Sequence, residues 1–266
     1  ETLRALHRSG PPLLLINVWD VAGARIVEEL GYPALATSSA AIANALGYAD
    51  GQQIRRDEML AVVARIAAAV KVPVTADMEA GYGSTPEAMA DTVRAMLAAG
   101  AVGLNLEDVE NEKFVPLERQ VAKIRALREA GAAAGVPLVI NARTDVYLHP
   151  GCPESNDYDE AVRRTKAFRA AGADCVFVPG LVDLALIQRL LRHSPGPINI
   201  LATPKAPPLR QLFDAGVRRI STGSGPYRAA MAMLRRIAST ARQEDLAAMF
   251  ADQLPYADLN QLMAPR

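Results

Sequence analysis

The chain has 266 residues, 50% of them hydrophobic and 22% charged, with 29 Lys+Arg against 29 Asp+Glu. A formal charge of zero argues against nucleic acid or an anionic membrane surface as partner, since both select for excess cations, so any charged ligand must be held by local groups. Two cysteines, Cys152 and Cys175, are too few for a disulfide framework or a zinc site, and no apolar run approaches the ~20 residues of a membrane span. The first residues, "ETLRALHRSGPP", lack the apolar core of a secretory leader, and a reducing, cytoplasmic location is expected.

In chain order, short apolar or β-branched runs alternate with Ala/Leu/Arg-rich amphipathic segments: "LLLINV", "ALATSS", "VPVTAD", "VGLNLED", "PLVINARTD", "CVFVPG", "INILAT" and "RRISTGSG". Alternating strand and helix signals mean parallel βαβ units. Segments such as "LAAGAVG" and "FDAGVRR" place a glycine where a helix turns into the next strand. About eight such units in roughly 250 residues predict a (β/α)₈ TIM barrel. No G-x-G-x-x-G follows the first run, where "NVWDVAGAR" stands. After the eighth run, "YRAAMAMLRRIAST" and "QEDLAAMFADQL" supply more helix than one unit requires, so 1–266 reads as one barrel domain with a C-terminal helical arm over 241–266. Met233, Leu234, Leu246, Met249 and Phe250 recur there at helical spacings, as core or subunit interface.

In a barrel the C-terminal strand ends carry the chemistry, and here they are acidic. The second run ends in Thr37-Ser38-Ser39, with Asp50 in the loop beyond; the third ends in Asp77 and Glu79. A side-chain period of two points that pair to one side, into the mouth. The fourth run supplies Asn105, Glu107 and Asp108, and the fifth Asn141, Arg143 and Asp145. Carboxylates converging without partners repel one another, so a cation is expected. Oxygen ligands without His or Cys select Mg²⁺ or Mn²⁺, held directly by one or two carboxylates with the others acting through water. Arg143 suits capture of a substrate carboxylate or phosphonate. Asp20, Asp57, Asp157 and Asp183 read instead as helix N-caps, and Asp108 and Asp145 as either caps or ion-pair partners. The helix after "TADMEAGYGS" is expected to start with a Thr85 cap and Pro86 at its first position.

The ordered set "ALATSSAAIANALGYADG", "TADMEAGYGS", "GLNLEDVE", "INARTDVYL" and "STGSGPYRAAM" resembles the isocitrate lyase/phosphoenolpyruvate mutase superfamily over nearly the whole chain. That resemblance implies a helix-swapped homo-oligomer, dimer or tetramer, acting on a small carboxylate through a pyruvate-like enolate stabilised by Mg²⁺. It implies Asp77 as the direct metal ligand, with Asp50, Glu79 and Glu107 holding metal-bound waters. Ser38, Ser39 and the following backbone N–H, at Ala40, would hold the 2-oxo acid, and Arg143 its carboxylate or oxyanion. The loop "EDVENEKFVPLERQ" departs from the family: it lacks the Cys and His of isocitrate and methylisocitrate lyases and is shorter than the Asn-bearing gate of the mutases.

Glu107, Arg143 and, on that loop, Lys113 are the candidate catalytic groups, beside Glu112; Glu112 and Lys113 read equally well as a solvated turn. The expected reaction is Mg²⁺-dependent cleavage of a C–C bond in a 2-oxo or 2-hydroxy polycarboxylate, by retro-aldol or retro-Claisen cleavage or decarboxylation. P–C chemistry on phosphonopyruvate and a non-catalytic acid-binding role are the alternatives. A Schiff base on Lys205 is disfavoured, because an acidic mouth keeps an amine protonated.

Overall fold

The computed structural model describes residues 1–148, 157–194, 196–242 and 245–264. Cys152 and the side chain of Leu246 lie outside the described residues. After α1 (Thr2–Arg8) come β1 (Leu13–Leu15), β2 (Asn17–Val18), α2 (Val21–Glu29), β3 (Leu35–Thr37), α3 (Ser39–Ala45), α4 (Arg56–Ala69), β4 (Val74–Asp77), α5 (Pro86–Ala98) and β5 (Gly103–Leu106). A hairpin of β6 (Val109–Glu110) and β7 (Lys113–Phe114) precedes α6 (Leu117–Ala133), β8 (Val139–Arg143), α7 (Tyr158–Ala170), β9 (Cys175–Phe177), α8 (Leu184–His193), β10 (Ile198–Leu201), α9 (Leu209–Asp214) and β11 (Arg219–Ser221). Three helices follow, α10 (Gly225–Ala241), α11 (Leu246–Met249) and α12 (Tyr256–Met263).

The strand segments pair in parallel in the order β1-β11-β10-β9-β8-β5-β4-β3-β2. The two ends of that order, β1 and β2, are separated only by Ile16; β1 pairs with β11 and β2 with β3. One extended stretch therefore holds both edges of the nine-segment sheet and closes it into the expected (β/α)₈ TIM barrel. Outward-facing Leu104, Ile140, Val176, Ile198 and Ile220 pack against Met89, Val93, Ile124, Leu127, Phe168, Ile187 and Leu212 of the surrounding helices. The inward positions are largely polar: Asn105, Asn141, Asn199, Arg219 and Ser221 are all buried.

α1 plugs the N-terminal end of the barrel. Leu3 joins Leu13, Leu15, Ala34, Ala36 and Val139 in a small core. Around it Arg4 donates to Leu138 O at 3.0 Å and pairs with Asp174 at 3.2 Å, while His7 Nε2 meets Arg219 Nη1 at 3.2 Å.

Helix starts agree with the sequence reading in most places. Asp20, Asp157 and Asp183 accept hydrogen bonds from the first-turn amides of α2, α7 and α8, and Thr85 caps α5 with Pro86 in its first turn. Asp57 is a correction: α4 begins at Arg56, so Asp57 sits inside its first turn, where an acid favours the helix dipole without capping it. Gly100 and Gly216 take the left-handed conformation expected at helix ends, φ 87° and 100°.

The last helices divide in two. α12 folds back onto α2, where Arg25 Nη1 donates to Leu262 O and Ala264 O, each at 2.7 Å. α10 has no buried residue in this chain and exposes Met231, Met233 and Leu234. Met233, Leu234 and Phe250 are thus not core of this chain, which leaves the interface reading of that pattern.

Gly103 is tightly enclosed at the barrel floor: an added Cβ would stand 2.8 Å from Leu3 Cδ2 and 3.1 Å from Val139 O. Gly103→Ala should therefore destabilise the protein by about 1–3 kcal/mol, the usual cost of overpacking, read as a lower urea midpoint. An unchanged midpoint would show that α1 is not seated there.

Candidate active site

Eight strand ends and their loops surround a cavity of about 910 Å³ at the C-terminal end of the barrel. Ser38, Ser39, Ala40, Asp50, Asp77, Glu107 and Arg143 all line it, so the fold brings together most of the expected set.

Asp77 ends β4, and its carboxylate is held from three sides. Oδ2 accepts from the Ser39 N–H at 3.1 Å and the Ser39 hydroxyl at 2.8 Å, and Oδ1 accepts from Asn105 Nδ2 at 3.4 Å. The Asp77 N–H donates to Thr37 Oγ1 at 2.9 Å. Ser39 therefore spends its hydroxyl and its N–H on orienting Asp77, while Ser38 Oγ caps α3 by accepting from Ala41 N–H.

Glu79 reaches the same region by another route than its spacing suggests. The strand stops at Asp77, and Glu79 takes a left-handed backbone, φ 49°, so a period of two does not aim it. The residue is 2% exposed; Oε1 accepts from the Tyr82 hydroxyl at 3.3 Å, and Oε2 has no hydrogen-bond partner. Burial, then the charges of Asp77 and Asp50, push it from 4.5 up to about 7. Gly83 makes the turn possible, because a Cβ there would lie 2.4 Å from Ala88 Cβ.

Two strands along the sheet, at the end of β8, Arg143 is shared. Its Nη1 pairs with Glu107 Oε2 at 2.8 Å, while Nε and Nη2 donate to the two oxygens of Asp145 at 2.6 and 2.8 Å. Burial nevertheless pushes the Glu107 carboxyl up to about 8; Arg143 opposes this, and Asp145, Asp77 and Glu79 reinforce it. Asp108 is wholly buried, accepts from Asp145 N–H and pairs with Arg164 at 3.0 Å. Asp108 and Asp145 are ion-pair partners, not caps.

Three of the candidate residues named from sequence, Glu79, Lys113 and Lys205, do not line the cavity. Lys113 is exposed on β7 and lines nothing there; its neighbours Glu110, Asn111 and Glu112 do. Asn111 and Glu112 form the two-residue turn with φ 49° and 60°, the conformation that tight hairpins require. Lys205 is likewise exposed and outside the lining.

Other residues were missed. Asn17 joins β2 to its neighbours, donating to Thr37 O at 2.8 Å and accepting from Thr222 and Gly223 N–H, each at 2.9 Å. A lone Asn two residues beyond Leu15 in "LLLINV" was its signal. Lys123, on α6, is buried and donates both to Ala80 O and, at 2.7 Å, to Glu110 Oε1, tying the Asp77 loop to the hairpin.

Among the described residues no group of three or more His, Cys, Asp or Glu forms a metal cage on its own. The donors do fit a hard cation held by Asp77 and water. Glu79 Oε2 is an orphaned buried oxygen, and burial together with the charges of Asp77 and Asp50 raises that carboxyl.

Because Glu79 and Glu107 keep their protons to higher pH when folded than when unfolded, the metal-free fold binds more protons than the unfolded chain between about pH 4.5 and 8. Its stability must then fall as pH rises through that window. Thermal melts of metal-free protein should show Tm dropping from pH 5 to pH 8, with a loss above about 1 kcal/mol, and Glu79→Gln should flatten the slope. A Tm that rises over this range would contradict the burial of both groups.

The sequence matches the family described as phosphoenolpyruvate phosphomutase over residues 3–242. It is similar to a solved structure from Burkholderia cenocepacia J2315 provisionally described as a phosphonomutase, 43% identical, covering 90% of this chain and 97% of that one with TM-score 0.84. A second structure from the same organism, provisionally described as a lyase/mutase, is 33% identical with TM-score 0.91 over 99% and 95% of the two chains. Oxaloacetate decarboxylase of Ectopseudomonas mendocina is 32% identical over 243 residues, 87% of this chain and 80% of that one. The barrel, the acidic strand ends and these matches agree that the chain belongs to the phosphoenolpyruvate phosphomutase family, within the isocitrate lyase/phosphoenolpyruvate mutase superfamily.

Proposed function

We propose that the protein is a Mg²⁺- or Mn²⁺-dependent lyase-type enzyme that cleaves a C–C bond of a small 2-oxo or 2-hydroxy acid through a pyruvate-like enolate. The observation that carries this reading is the Asp77 carboxylate, fixed by Ser39 and Asn105 beside a Glu79 carboxyl that burial and the charges of Asp77 and Asp50 raise. When bound, the cation supplies a Lewis-acid hold on the oxo acid and stabilises enolate charge as it develops.

The chain's own residues do the rest. Asp77 would hold the cation directly, and Asp50, Glu79 and Glu107 would hold it through water. Ser39 keeps Asp77 oriented, as outer hydrogen bonds to ligands do. Ser38 and the Ala40 N–H would meet the carboxylate from the α3 side, and Arg143 would meet the oxyanion from β8. The Arg143 guanidinium is locked by Asp145, so it approaches with a fixed orientation. Lys113 has no role in this reading.

A second reading, P–C chemistry on phosphonopyruvate, is favoured by the likeness to the Burkholderia phosphonomutase. The exposed apolar side chains of α10 support a homo-oligomer in which that helix is covered by, or exchanged with, a second copy.

Asp77→Ala should abolish both Mn²⁺ binding, followed by electron paramagnetic resonance, and metal-dependent release of pyruvate or a related oxo acid. Ser39→Ala should weaken the metal about 10–100-fold while leaving the fold intact. Unaltered Mn²⁺ affinity in Asp77→Ala would refute the assignment. Turnover of phosphonopyruvate ahead of every C–C substrate would favour the second reading.

A further inference from the structure

The geometry points to Lys123 as a positioning residue of the active site: from α6 it fixes both the loop that carries Glu79 and the hairpin that carries Glu110, so that these two parts of the mouth keep one separation. This rests on the metal-site reading above and extends it to a side chain that touches neither cation nor substrate.

Glu79 sits in a turn that does not hold its own shape. Glu79 takes φ 49° and Gly81 φ 96°. A left-handed residue other than glycine persists only where its surroundings fix it. Here three successive carbonyls are engaged: Glu79 O accepts from the Glu107 N–H at 2.9 Å, Ala80 O from Lys123 Nζ, and Gly81 O from the Thr92 hydroxyl at 2.8 Å. The turn is thereby tied to the end of β5, to α6 and to α5.

The hairpin is equally dependent on its neighbours. Each of its strands has two residues, too few for a two-stranded ribbon to be stable by itself. Glu110 on β6 accepts from Lys123 at Oε1, 2.7 Å, and from Arg119 at Oε2, 2.6 Å. Gln120, one turn before Lys123 on the same helix, donates to Glu107 O at 3.0 Å. The start of α6 thus holds three segments whose residues Ala80, Glu107 and Glu110 all line the cavity.

Lysine suits the task because an ammonium on a flexible stem can serve a carbonyl and a carboxylate lying in different directions. Lys123 is 1% exposed, and a cation so buried is tolerated only with its acceptors in place. Without it the Ala80 carbonyl and one Glu110 oxygen would lose their partner together. The turn would relax, and Glu79 would move away from the water it is to hold on the cation.

The test is Lys123→Met, which keeps the length of the side chain and removes its charge and its donors. Mn²⁺ affinity is read by electron paramagnetic resonance, and oxalate, a mimic of the enolate, is titrated into the Mn²⁺-loaded protein by calorimetry. Both affinities should fall by about threefold or more. Loss of a positive charge would by itself strengthen cation binding, so a weakening reports lost position. Arg119→Met, which removes the other partner of Glu110 and leaves Ala80 held, should change Mn²⁺ affinity by less than about twofold. A Mn²⁺ affinity in Lys123→Met that is unchanged or tighter, even with a lower Tm, would make Lys123 a merely structural residue and overturn the inference. An equal loss in Arg119→Met would overturn it too, because the bond to Ala80 would then contribute nothing. Should Lys123→Met fail to fold, Lys123→Gln is read against the same thresholds. Failure of the wild-type protein to bind Mn²⁺ would remove the metal-site reading and this inference together.

Discussion

The mouth of this barrel depends on how one arginine is shared. Arg143 reaches from the end of β8 to Glu107 on one side and Asp145 on the other, and the chain of alternating charge continues away from the cavity. Asp145 donates its N–H to Asp108, Asp108 pairs with Arg164, and Arg164 also pairs with Glu160. Buried ions are tolerated when each finds an opposite partner and its remaining hydrogen bonds, and this half of the mouth meets that condition. Asp77 and Glu79, by contrast, make no ion pair among the described residues.

Behind the mouth, the barrel interior is built largely from polar groups, two asparagines and Arg219 among them. Asn105 Oδ1 accepts from Asn141 Nδ2 at 2.7 Å and from Arg219 Nη2 at 3.2 Å, and the same amide faces Asp77 through its nitrogen. Arg219 is fully buried and makes no carboxylate ion pair among the described residues. Its other neighbour is His7, which burial and then the Arg219 charge push from 6.5 down to about 4, so the imidazole is a neutral partner at ordinary pH. A continuous set of side chains thus runs from the plug helix to the candidate metal ligand. Each member is oriented by the next, which fixes Asp77 more firmly than a loop could.

The sequence made the periodic parts of this molecule legible and left the contact-dependent parts hidden. Eight apolar runs, the glycine helix ends and the Thr85-Pro86 start are local signals, and each stands where the local chemistry puts it. The acidic strand ends were visible because the barrel fixes where strand ends go. For Glu79 the strand-periodicity argument fails, since a left-handed turn sets where it goes. Lys113 was misplaced because nothing local shows that two left-handed residues close a hairpin and turn it outward. Pairings such as Arg164 with Asp108 or Lys123 with Ala80 join residues 56 and 43 apart in sequence and become readable only once the helices are wrapped around the sheet.

The plug helix has a consequence for how the chain is made. α1 leaves the ribosome before any barrel strand, yet its seat is assembled from Gly103, Leu138, Asp174 and Arg219, spread through the rest of the synthesis. Until β11 emerges and closes on β1, Leu3 has an incomplete pocket and His7 lacks its arginine. The nascent segment must therefore wait in solvent while later strands assemble. Its run of basic and polar residues, Arg4, His7, Arg8 and Ser9, is a composition that tolerates such a wait.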